Sequence, residues 1–185
     1  MVDTQHIETA TLAGGCFWCL EAVFQQTKGV LTVQSGYSGG HITDPNYHQV
    51  CTGTTGHAEV VQVTYNSDEL TFSNLLEIFF EIHDPTTLNQ QGPDTGTQYR
   101  SAIFYTNENQ KELSEELITN LDATKKHDSH IVTEVTPLGI FYPAEDYHND
   151  YYKLNMSQPY CQFIIEPKLL KFRKSFPNKF SNSLK

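Results

Sequence analysis

The segment around Gly14-Gly15 most constrains how this chain folds, because it joins a strand pattern directly to a helix pattern. Residues 7–13 (Ile-Glu-Thr-Ala-Thr-Leu-Ala) are predicted as a short strand, and apolar residues recur at helical spacing from about residue 16 to 28. The glycine pair lets the backbone turn sharply between them. The pattern therefore predicts a strand, a tight turn and a helix, with Cys16 in the first helical turn.

The sequence Cys16-Phe17-Trp18-Cys19 places thiols and large aromatic rings at this junction. Free backbone N–H groups and the positive dipole end at a helix N-terminus favour an anion. We therefore expect Cys16 to ionise more readily than an ordinary thiol. The neighbouring rings of Phe17 and Trp18 indicate a substrate that is itself partly apolar.

The CxxC pair allows several interpretations. It is typical of a thioredoxin-like dithiol, in which the second thiol resolves the first. It would also suit half a zinc site, but Cys51 and Cys161 are isolated and no histidines stand at ligand spacing, so no metal is expected. Cys19, one turn inside the predicted helix, is alternatively a small core residue. A Cys16–Cys19 disulfide would require the first helical turn to distort.

The order of the remaining elements predicts the fold class. We expect strands near 30–37, 57–66, 99–106 and 130–138, helices from about 71 to 83 (Thr71 as N-cap), after Asn107 and near Pro143, and a closing basic helix. Strand–helix–strand–strand–helix–strand is the ferredoxin-like split βαβ core of an α/β (α+β) two-layer sandwich. One domain is expected over residues 1–185, with a core at about 9–156 and a C-terminal extension at 157–185. The long loops at 38–56 and 84–98 are expected to be functional.

Charge and cysteine content narrow the class of protein. The net charge of −10 argues against binding to nucleic acid or to an acidic membrane. No segment is long and apolar enough for a signal peptide or a membrane span, so we expect a cytoplasmic location. In that reducing compartment the four cysteines are expected to be catalytic, redox-active or metal-binding rather than a disulfide scaffold.

The basic residues are concentrated at the C-terminal end. Six of the 12 follow residue 167, and no acidic residue follows Glu166. We expect a solvated helix there that packs through Leu169, Leu170, Phe172 and Phe176; a phosphate- or partner-binding tail is the alternative.

Residues 57–65 alternate with the period of a strand and place an acid in an apolar setting. Glu59 lies on the same side as Val61, Val63 and Tyr65. Removal from water raises the pKa of a carboxylic acid, which would allow Glu59 to donate a proton near neutral pH. An exposed or paired carboxylate at the strand mouth is the alternative.

Two tyrosines and an aspartate in or beside the long loops complete the candidates. Tyr47 and Tyr99 have phenol groups that would serve as hydrogen-bond donors to a substrate oxygen, whereas Asp94 in a Gly-rich segment has its commonest use in a turn. Sequence spacing alone does not bring these groups together.

Five segments in order resemble the A-type peptide methionine sulfoxide reductases over about residues 9–176. They are Gly15-Cys16-Phe17-Trp18, Gly56-His57-Ala58-Glu59, His83-Asp84-Pro85-Thr86-Thr87, Gly96-Thr97-Gln98-Tyr99-Arg100-Ser101 and Ala144-Glu145-Asp146-Tyr147-His148.

The resemblance implies a role for each matching position. Cys16 would attack the sulfoxide sulfur, Glu59 would protonate its oxygen, and Tyr47 and Tyr99 would hydrogen-bond that oxygen. For substrate binding, the resemblance implies the set Phe17 and Trp18 (a pocket for the ε-methyl group), Asp94 and His148.

The resemblance also implies a thiol cycle without a cofactor. Methionine sulfoxide, free or in peptides and proteins, would be reduced as its S epimer, which leaves Cys16 as sulfenic acid. A second thiol would form a disulfide that thioredoxin reduces. Tyr160-Cys161 resembles the family's resolving segment without its glycines or its last cysteine, so we expect Cys161 to resolve, then Cys51, then Cys19. A one-cysteine cycle, a dithiol reductase and a passive sulfoxide binder are the alternatives. A monomer is expected.

Overall fold

A six-stranded sheet forms the centre of the computed structural model, which describes residues 6–181. The strands are β1 (Ile7–Gly14), β2 (Val30–Ser38), β3 (Ala58–Asn66), β4 (Gln90–Gln91), β5 (Asp94–Thr95), β6 (Ser101–Tyr105), β7 (Glu134–Pro137) and β8 (Tyr142–Pro143). The α-helices are α1 (Phe17–Phe24), α2 (Tyr47–Cys51), α3 (Phe72–Ile82), α4 (Glu108–Ala123), α5 (Tyr151–Leu154) and α6 (Glu166–Ser175). Single turns of 3₁₀-helix at Thr97–Tyr99 and Asp146–His148 and a π-helical turn at Cys161–Ile165 complete the list.

The sheet order is β7-β6-β1-β3-β2-β8. Its four central strands are antiparallel neighbours, and each pair β1/β2 and β3/β6 is joined by a helix that crosses over the strand between them. This is the ferredoxin-like split βαβ core, so the predicted fold class is confirmed. β7 extends the sheet in parallel beside β6, and β8 pairs with the opposite edge strand, β2.

Helices cover one face of the sheet and bury the larger core. Leu12 and Val61 from the sheet, Phe24 from α1, Leu75 from α3 and Phe172 from α6 all belong to this cluster and are almost fully buried. Each such side chain contributes about 1.5–3 kcal/mol when it is removed from water. A smaller apolar cluster lies on the opposite face of the sheet, where Leu138 and Phe141 pack on Ala and Val side chains and Phe104.

Local sequence explains where the helices begin. The Thr71 hydroxyl accepts a hydrogen bond from the Asn74 N–H at 3.1 Å, so Thr71 caps α3 as predicted. Asn107 caps α4 in the same way through Gln110. Near Pro143 the prediction was wrong: Pro143 ends β8 opposite Gly36, and helical turns begin only at Asp146 and Tyr151.

The C-terminal helix packs on α3 and is tied to it by charge. Leu169 and Phe172 are buried, whereas Leu170 is exposed. The Lys171 ammonium donates to the Glu81 carbonyl oxygen at 2.7 Å, and Lys179 pairs with Glu77. These contacts favour the packing interpretation of the basic segment over a free binding tail; Lys185 lies outside the described residues.

No helix in the part of the chain that the structure describes is long and apolar enough to cross a membrane. That residues 1–185 form one domain stays a prediction.

Candidate active site

The Gly14-Gly15 turn delivers Cys16 from the end of β1 to the start of α1. Gly15 has φ +89°, and a Cβ there would lie 2.5 Å from Gln91 Cγ. Gln91 cannot yield, because its amide bonds both the N–H and the carbonyl of Asp84, each at 2.9 Å. A Cβ on Gly14 would lie 2.9 Å from the Phe79 ring. Both glycines are therefore required for this turn.

Cys16 is the N-cap residue of α1 rather than part of its first turn. Its backbone is extended (φ −62°, ψ 126°), and the helix proper begins at Phe17 and ends at Phe24, earlier than predicted. Cys16 therefore lies outside the regular helix, and the two thiols lie close enough to shift each other's pKa. The objection that a Cys16–Cys19 disulfide would distort the first helical turn does not apply to this backbone, because only Cys19 belongs to the helix.

The expected easy ionisation of Cys16 is wrong for this state of the protein. Burial raises the pKa of the Cys16 thiol well above its usual value, and the neighbouring Cys19 thiol and the charge of Glu59 raise it further. The dipole argument failed because the first N–H of the helix, on Phe17, donates to Glu59 Oε2 at 3.0 Å. The neighbouring Cys16 thiol in turn lowers the pKa of Cys19.

Glu59 is a buried acid beside the start of α1. It lies on β3 opposite Tyr37, and only 1% of its surface is exposed. Burial raises its pKa to about 8, against the opposing effect of the Phe17 N–H. The carboxyl group is therefore mostly neutral at pH 7, as the strand pattern predicted.

Tyr47 and Tyr99 lie within electrostatic reach of this acid. Burial first, and then the charge of Glu59, raises the pKa of both phenols, so both remain protonated donors. Tyr47 begins α2, where its backbone N–H donates to Glu145 Oε1 at 2.7 Å. The segment 38–56, which was predicted as a long loop, contains this short helix with an Asn46 capping box.

Aromatic rings line the other side of the site. The ring of Phe17 lies 6.4 Å from that of Tyr47, and the ring of Trp18 lies 6.5 Å from it. Tyr151 stacks on Trp18 with 3.6 Å between centroids and 5° between planes. The Trp18 indole N–H donates to Nδ1 of the buried His148 at 3.1 Å. These contacts fix the orientation of the indole.

Tyr160 links Asp94 to the cysteine pair. Its hydroxyl donates to Asp94 Oδ2 at 2.6 Å and lies 4.0 Å from Cys19 Sγ. The ring stands edge-on to Trp18, at 5.8 Å and 81°. Sequence reasoning did not include Tyr160 among the site residues; its place directly before Cys161, in a segment that resembles the family, was the available signal.

The structure brings all eight predicted catalytic and substrate-binding residues into this one region, but it separates the three candidate resolving cysteines. Cys19 lies within electrostatic reach of Cys16, Cys51 is exposed at the end of α2, and Cys161 is fully buried in the π-helical turn before α6. The segment around Cys161 is thus a packed helical turn. Among the described residues no cluster of His, Cys, Asp and Glu could hold a metal ion.

Comparison with known proteins agrees with this geometry. The family model described as peptide methionine sulfoxide reductase matches residues 8–180. The peptide methionine sulfoxide reductase MsrA of Saccharolobus solfataricus is 56% identical over 173 residues, which cover 94% of this chain and 97% of that protein.

Solved structures resemble the fold as well. Reduced Mxr1 from Saccharomyces cerevisiae has a TM-score of 0.79 and 34% identity, over 86% of this chain and 91% of that one. Mxr1 in complex with Trx2 has a TM-score of 0.57 and 25% identity, over 79% of this chain and 86% of that one. The chain therefore belongs to the peptide methionine sulfoxide reductase family, and it is a thiol-dependent oxidoreductase that reduces methionine sulfoxide in peptides.

Proposed function

We propose that Cys16 attacks the sulfoxide sulfur while Glu59 supplies the proton that its oxygen needs. The observation that carries the proposal is a buried, neutral carboxyl group held by the Phe17 N–H at 3.0 Å, beside the N-cap thiol. The Cys16 sulfur forms a bond to the sulfoxide sulfur and releases its thiol proton to solvent as Glu59 protonates the oxygen. Methionine then leaves, the hydroxyl passes to Cys16 as sulfenic acid, and Glu59 is left as carboxylate.

The surrounding side chains would bind the sulfoxide group. Tyr47 and Tyr99 donate hydrogen bonds to the sulfoxide oxygen, where negative charge develops as the S–O bond breaks. Phe17 and Trp18 form the pocket for the ε-methyl group. His148 holds the Trp18 indole, and Asp94 acts through Tyr160.

For the second half of the cycle the geometry supports Cys19 before Cys161 as the resolving thiol. Cys19 lies one helical turn from Cys16, close enough for the two thiols to shift each other's pKa, whereas Cys161 is fully buried in a packed turn. The Cys19 sulfur attacks the Cys16 sulfenic acid, a disulfide forms, and the hydroxyl leaves with the thiol proton as water. An external dithiol then reduces the disulfide by exchange. The likeness to Mxr1, which is known in complex with Trx2, supports thioredoxin as that dithiol.

Single turnover with a sulfoxide peptide tests these roles. Reduced wild-type protein should form one methionine, lose two thiols and yield a Cys16–Cys19 disulfide by peptide mapping. Cys16→Ser should form no methionine. Cys19→Ser should still form one methionine but accumulate a sulfenic acid that dimedone traps.

Cys51→Ser is the matched control, because this exposed thiol lies outside the pair; it should behave like wild type. A Cys16–Cys161 disulfide in wild type would restore the original order of resolving cysteines. Methionine formation by Cys16→Ser would refute the nucleophile assignment. The S-epimer preference, the monomeric state and the cytoplasmic location stay predictions.

A further inference from the structure

Glu21 is a buried carboxyl group that the reaction as described does not use. It lies on α1, three positions after Trp18, and only 1% of its surface is exposed. Its Oε1 accepts the Asp150 N–H at 2.9 Å, and its Oε2 accepts the Tyr151 N–H at 3.3 Å. Because a buried carboxyl group is costly unless it is hydrogen-bonded, these two contacts are what retains Glu21 there.

The turn that Glu21 holds is strained. Asp150 has φ +55° and ψ 26°, the left-handed region that is rare for a residue other than glycine. Successive N–H groups in a left-handed and then a right-handed residue form a concave anion site, and the Glu21 carboxylate occupies it. Gln25, the C-cap residue of α1, donates to Asp150 Oδ1 at 2.9 Å. Helix α1 and its C-cap therefore hold this turn at two points.

The turn carries the ring that fixes Trp18. Tyr151 follows Asp150 directly and stacks on the indole at 3.6 Å, almost parallel to it. Trp18 and Glu21 lie on the same helix, so a closed loop of contacts runs from Trp18 along α1 to Glu21, across to the turn, and back through Tyr151 to the indole.

We propose that Glu21 is a positioning residue for sulfoxide reduction. Through the Asp150–Tyr151 turn, Glu21 sets the plane of the Trp18 indole and thereby the size of the methyl pocket. The inference rests on the proposed role of Trp18 as a wall of that pocket. Its consequence is selectivity: a loosened indole would admit a larger alkyl group on the sulfoxide sulfur.

Glu21→Gln tests the inference, because the amide keeps the size of the side chain but turns one acceptor into a donor that faces a backbone N–H. Activity is compared on peptides with methionine sulfoxide and ethionine sulfoxide at pH 7.5, where Glu21, whose pKa burial raises to about 7, is mostly ionised and Glu59, with a pKa of about 8, is mostly neutral. We expect the methyl-to-ethyl ratio of kcat/KM to fall at least fivefold. Trp18 is the only tryptophan in the chain, so its emission should also shift and become easier to quench with acrylamide.

Matched variants separate positioning from general damage. Glu116→Gln removes an exposed carboxylate from α4 and should leave ratio and emission unchanged. Tyr151→Leu should lower the ratio as Glu21→Gln does, whereas Tyr151→Phe, which keeps the ring, should retain the wild-type ratio. The double variant Glu21→Gln/Tyr151→Leu should lower the ratio no more than either single change. If Glu21→Gln does not fold, Glu21→Asp, Tyr151→Leu and Tyr151→Phe test the inference by the same methyl-to-ethyl ratio of kcat/KM.

An unchanged ratio and emission in Glu21→Gln would overturn the inference, as would additive losses in the double variant. Trp18→Leu identifies which proposal has failed. If Trp18→Leu alters selectivity and Glu21→Gln does not, only the positioning role falls; if Trp18→Leu also leaves selectivity unchanged, the pocket assignment falls with it.

Discussion

Replacing Gly15 by alanine should destabilise the protein more than the same change at Gly92 or Gly139. The new Cβ would lie 2.5 Å from Gln91 Cγ and 2.7 Å from Gln91 Cβ, and the backbone there has φ +89°. Gln91 is buried and its amide is held at both ends by Asp84. Steric relief by a simple side-chain rotation is therefore blocked, and the turn itself must move.

The cost follows from two terms and one offset. A positive φ costs an L-residue roughly 1–2 kcal/mol. An added methyl group in a tight site costs about 1–3 kcal/mol. The stiffer unfolded chain returns about 0.4–1 kcal/mol. We expect a net loss of about 3 kcal/mol, and because Cys16 follows directly, sulfoxide turnover should fall as well.

Two glycines in open space separate these terms in urea or thermal unfolding. Gly92 has φ +56° with nothing within 4 Å of its Cβ position, so Gly92→Ala should lose no more than about 1 kcal/mol. Gly139 has neither strain nor a close neighbour, so Gly139→Ala should unfold like wild type or slightly later. A Gly15→Ala variant that is as stable as Gly92→Ala would refute the argument.

Three further predictions concern the site and its pH dependence. Glu59→Gln should slow methionine formation in single turnover about 10²–10⁴-fold, because the amide fits but supplies no proton. The ionisation near pH 8 should also vanish from the pH dependence of the rate. Tyr47→Phe and Tyr99→Phe should each lower kcat/KM about 10²-fold with folding intact; wild-type activity in both would exclude them as donors. His83 is buried, and burial lowers its pKa to about 3. Between pH 6.5 and this value the unfolded chain binds a proton at His83 and the folded protein does not, so the folded protein loses stability as the pH falls. The raised pKa of Glu59 has the opposite effect on stability, so the variant must be compared with wild type at each pH. When the pH falls from 7 to 5, the free energy of unfolding of His83→Gln should rise by about 2 kcal/mol relative to that of wild type in urea unfolding.

Local pattern predicted the parts of this protein that depend on neighbours in sequence. The alternation around Glu59 gave its burial, and Thr71 and Asn107 marked the helix starts. Helix α1 ends earlier than predicted because the chain after Phe24 forms a turn that hydrogen-bonds to the C-terminal segment. That segment lies about 150 residues away in sequence, far beyond the span over which a local pattern predicts structure.

The chemistry of Cys16 was harder to predict for a related reason. The helix-terminus argument assumed a free N–H, and the competing acceptor comes from β3, 42 residues away. Tyr151 and Tyr160 likewise reach the site across more than 100 residues, so their packing on Trp18 required the fold.

The Phe17–Glu59 contact also determines how each turnover must end. In the proposed reaction, Glu59 becomes a carboxylate that faces a backbone N–H at the positive end of α1, which stabilises this spent form of the acid. The enzyme would therefore not be back in its starting state when methionine leaves. A proton must return to Glu59 from solvent, so restoring the acid is a separate step of the proposed cycle, whichever thiol completes the disulfide.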